Sequence, residues 1–219
     1  MRKSIVIVGA GFGIGLAVAR QFGTNGYKVG LIARNQKKLA ELTKTLDAEN
    51  IEAYSASADI TKLDELADAL SVLGRELGQI DVICFSPLPN IKLIKPLLLT
   101  DPTEFMESLM LNVAGAAATV NTVLPGMRKR GTGSFIFTTG SAGIKPSHER
   151  AASAVTTAAE TTYISLLNAL LADTEIKVIH TIISGSIGKG EVHEPGTVAD
   201  HLWQRHTLPK TDNHVSVLG

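Results

Sequence analysis

The stretch Gly9-Ala10-Gly11-Phe12-Gly13-Ile14-Gly15 concentrates glycine where chemistry needs it. It follows Ser4-Ile5-Val6-Ile7-Val8, an apolar, mostly β-branched run of strand length, and opens into Leu16–Phe22, which has helical spacing. A strand, a glycine-rich turn and a helix form an anion site. Backbone N–H groups of the turn come close to a phosphate, and the positive end of the helix dipole faces it. A Cβ in the turn would block that approach and forbid positive φ. At the first strand–helix junction of a chain, this is the signature of a dinucleotide site. The spacing is Gly-x-x-x-Gly-x-Gly, set by Gly9, Gly13 and Gly15. It is not Gly-x-Gly-x-x-Gly, because Ile14 stands where the third glycine would be.

About 20 residues past such a turn, an NAD site carries an acid for the ribose 2′-hydroxyl. Here Ala33 takes that place and Arg34-Asn35 follow. A carboxylate would repel a 2′-phosphate, whereas a guanidinium grips it with two charge-assisted hydrogen bonds. The expected cofactor is therefore NADP (NADPH) in preference to NAD, with Asn35 and Lys38 as further donors. The alternative for Arg34 is a solvated residue at the start of a helix.

Alternating elements must carry these groups. After β1 and its helix, Tyr27–Ala33 reads as β2, Gln36–Asn50 as a polar amphipathic helix and Ile51–Ala56 as β3. Lys62–Leu77 follows as a helix with Thr61 as its N-cap, then Ile80–Phe85 as β4. A loop, Ser86-Pro87-Leu88-Pro89, leads through an irregular apolar segment to Leu99. Asp101-Pro102 starts a long helix reaching about Arg130, with Pro125 a kink or break near its end. Ser134–Thr138 reads as β5, Ser147–Ala172 as another long helix and Lys177–Ile183 as β6. A short helix near Thr197–His206 and a last strand, His214–Leu218, complete the chain. Repeated β–α units with apolar strands predict an α/β fold: a single-domain Rossmann fold over residues 1–219, a doubly wound parallel sheet of about seven strands flanked by helices.

Composition excludes several alternatives. A chain of 219 residues suits one domain with a sizeable core. Basic and acidic residues number 21 each, so the formal net charge is zero and nothing points to nucleic acid or an acidic membrane surface. No apolar stretch reads as long enough to cross a bilayer. The single cysteine, Cys84, lies in an apolar run, which excludes an internal disulfide framework and fits a reducing, cytoplasmic setting. Arg2 and Lys3 before an apolar run imitate a secretory signal, but the glycine turn interrupts it. His180, His193, His201 and His206 have no metal-binding spacing.

The glycine spacing resembles that of the short-chain dehydrogenase/reductase family, and the likeness covers nearly the whole chain. The resemblance implies hydride transfer between nicotinamide and a carbonyl or alcohol carbon, with an Asn, a Ser, a Tyr and a Lys as the catalytic set. Leu111-Asn112-Val113 matches the family's Asn segment, so the likeness makes Asn112 the anchor of a water relay. The alternative is a core amide bonded to backbone. Ser134-Phe135-Ile136-Phe137-Thr138-Thr139-Gly140-Ser141 matches the strand-then-Ser pattern, which puts Ser141 beside the substrate oxygen; an ordinary turn hydroxyl is the alternative. Ala58-Asp59-Ile60 resembles the family's pair beside the adenine, so Asp59 and Ile60 join the cofactor set. Asp59 can serve as a helix N-cap as well.

The Tyr-x-x-x-Lys motif is missing. Aligning Thr156-Thr157-Ala158-Ala159 with the family's small-Lys-Ala-Ala puts Ser153 at the Tyr position and Thr157 at the Lys position. Spacing of four keeps both on one helix face. A Ser hydroxyl is a far weaker proton donor than a phenol, while Thr157 can still bond a ribose hydroxyl. Tyr163 is displaced along the helix and is no substitute. Lys145 and His148, on the loop after Ser141 and facing the expected cleft, are alternative donors; a solvated loop histidine is the plainer alternative. Phe85-Ser86-Pro87-Leu88 replaces the family's Asn-Asn-Ala-Gly, and Ser184-Gly185 replaces its Pro-Gly. Ser86 and Gly185 are thus carried as cofactor positions. The loop from Ser186 to Glu194, where the family builds a lid over the substrate, is short.

Two functions follow. One is an NADP(H)-dependent oxidoreductase acting on a small carbonyl or alcohol with an atypical catalytic centre. The other is a catalytically inactive NADP(H)-binding sensor or regulatory protein. Small-residue runs, Ala114–Ala118 and Ala151–Ala159, lie on the helices after β4 and β5. They pack onto the sheet within one subunit, or, as the resemblance implies, form the interface of a homodimer or homotetramer.

Overall fold

The first strand, Ser4–Val8 (β1), is buried at every residue, because it lies in mid-sheet with helices on both faces. Alternate side chains divide between two cores. Val6 and Val8 join one cluster, with Ile83, Phe85 and Phe137. Ile5 and Ile7 join the other, with Val82, Cys84 and Ile136. The computed structural model describes residues 2–212 and 215–219.

The seven strands are β1, Lys28–Ala33 (β2), Ala53–Ser57 (β3), Val82–Phe85 (β4), Gly133–Gly140 (β5), Ile176–Ile183 (β6) and Ser216–Leu218 (β7). They lie in the order β3-β2-β1-β4-β5-β6-β7, all parallel. The doubly wound sheet predicted from the β–α alternation is present. Ile14–Thr24 (α1), Gln36–Ala48 (α2) and Pro195–Thr207 (α7) cover one face. Leu63–Leu77 (α3), Pro102–Leu109 (α4), Gly115–Arg130 (α5) and Ala151–Leu170 (α6) form the other side. The strand order reverses between β1 and β4, so a crevice opens past their carboxyl ends.

Several local expectations are corrected. Thr61 does not cap α3; the cap position is Lys62, without a side-chain bond, while the Thr61 hydroxyl donates to Asp59. The helix begun by Asp101-Pro102 has its capping box, with Glu104 closing it. It is not uniform, however, because Met110–Ala114 forms a π-helical turn between α4 and α5. Pro125 does not break α5, which ends at Arg130, where Gly131 takes the left-handed conformation (φ +72°). β5 extends to Gly140 because its pairing with β6 continues to Ile183. Ser147 caps a short 3₁₀ turn, His148–Arg150, and α6 starts after it. The apolar segment before α4 forms two 3₁₀ turns, Ile91–Leu93 and Leu97–Leu99. The predicted start of the last strand, His214, lies outside the described residues. The run Pro102–Arg130, 29 residues, is long and apolar enough to cross a membrane by length and composition, contrary to the reading that no stretch is. In this fold it packs Ala116, Val120, Val123, Leu124 and Met127 into the core.

Candidate active site

Past the carboxyl ends of β1, β4 and β5 lies a cleft of about 580 Å³. Gly9, Arg34, Asp59 and Ile60 line one end of it, and Asn112, Ser141, Ser153 and Thr157 the other, with Gly185 at the mouth of the loop after β6. Nine of the sequence-chosen residues thus share one wall system. Gly11, Phe12, Gly13, Ile14, Gly15, Asn35 and Ser86 do not line it.

The glycine turn has divided duties. Gly9 has φ +92°, and a Cβ there would lie 2.6 Å from the Pro87 Cα, so only glycine fits. The N–H groups of Gly9 and Ala10 both donate to the Ile32 carbonyl, at 3.0 and 2.9 Å. Anion donors must come from further along the turn. There, Gly11 and Gly13 have nothing within 4 Å of where a Cβ would stand, and no side chain caps the start of α1. That open, uncapped helix end beside the cleft fits a pyrophosphate. Gly15 serves packing, since a Cβ would come within 3.0 Å of the Ala10 Cα.

Across the cleft from the turn, Arg34 is exposed just after β2 and makes no ion pair among the described residues. Asn35 turns inward on the backbone: its Oδ1 caps α2 by accepting the Lys38 N–H at 3.0 Å. Burial pushes the Asp59 carboxyl up. The Thr61 N–H and hydroxyl, then Arg34 and Lys62, outweigh it and hold the group below its usual range. Ser86 accepts a 2.6 Å bond from the Thr138 hydroxyl, which ties the ends of β4 and β5 together.

At the other end, Ser141 opens a 3₁₀ turn directly after β5. Gly143 of that turn presses on α6, where a Cβ would stand 2.7 Å from the Ala158 N. This contact seats the turn that carries Ser141 on the helix that carries Ser153 and Thr157. No protein group hydrogen-bonds the Ser141 or Ser153 hydroxyl among the described residues, so both are open to a ligand. The Thr157 hydroxyl is committed: it donates to the Ser153 carbonyl at 2.5 Å, leaving its lone pairs for a ribose hydroxyl. Tyr163 packs against the core. Neither Lys145 nor His148 lines the cleft; His148 is exposed and meets Glu149 at 2.9 Å, so the loop-donor alternative is not realised. After Gly185 (φ +119°) the chain folds back on itself, with the His193 N–H donating to the Ser186 carbonyl and the Gly188 N–H to the His193 carbonyl.

Asn112 sits in the π-turn, and its Nδ2 donates to Glu160 Oε2 at 2.8 Å. Glu160 is fully buried on α6, and burial pushes its carboxyl up to about 8 although the Asn112 bond pulls the other way. Its Oε1 and the Thr156 Oγ1, one helical turn away, have no protein partner. Thr156 lines the cleft, as do Arg150 and Glu107. Sequence reasoning missed these four. For Glu160 a signal existed: it is the only acidic residue of α6.

A family model described as short chain dehydrogenase matches residues 3–189. An uncharacterized oxidoreductase of Staphylococcus epidermidis is 27% identical over 94% of this chain and 85% of its own length. One from Listeria monocytogenes is 30% identical over 65% of this chain, and the match spans 57% of that relative's length. Among solved structures, L-sorbose reductase of Gluconobacter frateurii with NADPH and L-sorbose superposes with a TM-score of 0.89. It is 17% identical, over 100% of this chain and 95% of that one. A short-chain dehydrogenase of Rhodopseudomonas palustris gives 0.88 at 23% identity, over 99% and 98%. A metagenomic short-chain oxidoreductase with NADP gives 0.83 at 22% identity, over 98% and 95%.

Proposed function

Because the chain belongs to the short-chain dehydrogenase family, we propose that it is an NADP(H)-dependent oxidoreductase acting on a small carbonyl or alcohol, with hydroxyl side chains in place of the family's Tyr and Lys. The observation that carries this is the single cleft joining the glycine turn and Arg34 to Ser141 and Ser153. A bound NADPH supplies the hydride. The helix end beyond Gly11 and Gly13 would hold its pyrophosphate, Arg34 its 2′-phosphate, and Asp59 and Ile60 would flank its adenine. The solved relatives that hold NADP or NADPH support the same choice.

The chain's own chemistry is positioning. Ser141 and Ser153, with no protein partner, orient the substrate oxygen by hydrogen bonds. Donors aimed at an oxygen that gains negative charge stabilise it as the charge develops. Thr157 accepts from a ribose hydroxyl. The second reading, an inactive sensor, is favoured by one feature: neither a phenol nor an ammonium stands at positions 153 and 157.

A carbonyl panel followed by NADPH absorbance, together with NADPH and NADH titrations, tests both readings. Turnover by the wild-type protein and at least tenfold tighter NADPH binding are expected. NADPH binding without any turnover identifies the sensor, and equal affinity for the two cofactors removes the role of Arg34.

A homodimer or homotetramer through α5 and α6 is part of the proposal. Val155, Leu166 and Leu170 of α6 are exposed, and their spacing of eleven and four puts them on one stripe. Leu166→Glu with Leu170→Glu should shift the mass in light scattering from oligomer to monomer; an unchanged mass excludes this face.

A further inference from the structure

We infer that the substrate of this cleft is a small aliphatic acid, an oxo acid or the matching hydroxy acid, whose carboxylate is held by Arg150. The inference rests on the oxidoreductase reading above and adds to it the charge of the substrate.

Among the described residues, the charged groups lining the cleft are Arg34, Asp59, Glu107 and Arg150. Arg34 and Asp59 stand on the side of the glycine turn, after β2 and β3. Arg150 stands at the opposite end. It immediately precedes α6, and Ser153 follows three residues later, both lining the cleft. Side chains three apart at a helix start are neighbours, about 5–6 Å between Cβ atoms. A guanidinium and a hydroxyl so based can hold two ends of one small molecule.

The base of Arg150 is fixed. Its N–H donates to the Ser147 carbonyl, and the next N–H, of Ala151, donates to the Lys95 carbonyl, each at 3.1 Å. Ala151 and Ala152 are buried. The side chain, by contrast, is exposed and has no hydrogen-bond or ion-pair partner among the described residues. The carboxylates on the adjoining segments have other partners. Glu149 meets His148, Glu104 pairs with Lys95, and Glu107 accepts from the Asn90 amide at 3.1 Å.

On an open surface, an arginine without a partner is simply solvated. This one lines the wall of a 580 Å³ cleft. There it presents a planar pair of donors, always charged, whose shape matches a carboxylate. Leu93, Ile94 and Leu111 also line the cleft. Their side chains hold no polar atom, so they suit hydrocarbon, and the hydroxyls of a polyol set against them would go unpaired. Glu107, four residues before Leu111, adds negative charge to the same wall and disfavours a second carboxylate on the substrate.

Oxo acids and their methyl esters separate charge from shape. With NADPH, the wild-type protein should reduce 2-oxobutanoate or 3-oxobutanoate with kcat/KM at least about tenfold above that of the matching methyl ester, the discrimination that one charged hydrogen-bonded pair supplies. Arg150→Ala should abolish that ratio, chiefly through KM, and Arg150→Lys should restore part of it. Melting curves check that both variants fold. Equal kcat/KM for acid and ester in the wild-type protein, or an unchanged ratio in Arg150→Ala, overturns the inference and leaves the oxidoreductase reading intact. A second measurement needs no turnover. In saturation-transfer NMR with NADPH present, butanoate should bind the wild-type protein, butanamide should not, and Arg150→Ala should lose butanoate. An Arg150→Ala variant that keeps butanoate, or that loses NADPH, overturns the inference. A wild-type protein that binds butanoate through Arg150 and reduces no carbonyl compound upholds the carboxylate site and overturns the oxidoreductase reading.

Discussion

The end of the cleft at the glycine turn is built from backbone, and the end at Ser141 and Ser153 from side chains. At the first, a positive-φ glycine, an uncapped helix end and the close approach of Gly15 to Ala10 define the space. At the second, Ser141, Ser153, Thr157, Asn112 and Glu160 project from three elements, and their functional groups are the site. A backbone cradle persists through most substitutions outside its glycines. A side-chain constellation changes its chemistry with one substitution while its geometry survives. That difference is why the fold tolerates Ser153 and Thr157 at positions where other side chains would carry different chemistry.

The contrast can be broken most severely at Gly9. Gly9→Val forces a β-branched residue to φ +92° against the Pro87 backbone. Left-handed strain of about 1–2 kcal/mol and overpacking of about 1–3 kcal/mol should lower the melting temperature by about 10 °C, in calorimetry. Gly11→Ala should leave melting nearly unchanged, because nothing stands within 4 Å, yet weaken NADPH at least tenfold by filling the cradle. If Gly11→Ala binds NADPH normally, the backbone account of that end is wrong.

At the catalytic end, Ser153→Tyr with Thr157→Lys should raise kcat about a hundredfold, the low end of what a positioned acid contributes. A double variant that folds without gaining activity would show that the scaffold no longer presents positions 153 and 157 to the substrate.

The buried ionisable groups give a pH signature. Burial lowers His180 to about 4 from 6.5, so its contribution is complete above pH 6.5 and is lost as pH falls toward 4. The full loss is on the order of 3 kcal/mol. Glu160 is raised to about 8 from 4.5, so its contribution is complete below pH 4.5 and is lost as pH rises through 8. The two slopes offset each other between pH 4.5 and 6.5, so denaturant midpoints should be highest there. Glu160→Gln should remove the fall at higher pH, leaving midpoints that rise up to pH 6.5 and then stay level.

The smallest effect is at Arg34. Arg34→Ala should reduce the NADPH-over-NADH preference about tenfold, about 1.4 kcal/mol, in paired titrations, with unchanged melting because the side chain is exposed.

The sheet was legible in the sequence because strands buried on both faces read as continuous apolar runs, as in Ile5–Val8 and Val82–Phe85. The glycine turn was legible because backbone geometry selects one residue type. The π-turn was not, since no local pattern marks it, and the partner of its Asn112, Glu160, lies 48 residues away. Thr156 was hidden for the same reason: in sequence it is one small residue among many, and only burial distinguishes it from Thr157. Lys145 and His148 have suitable chemistry but lie on a loop whose direction no local pattern dictates.

Cys84 has a practical use beyond filling the core under β1. Its thiol is fully buried and pushed up to about 12, so it is unreactive toward alkylating labels at neutral pH. An engineered surface cysteine would then be the molecule's sole reactive thiol. Placed at exposed Val192, opposite Gly185, it would let a fluorophore report whether the surroundings of the loop after β6 change when NADPH is added.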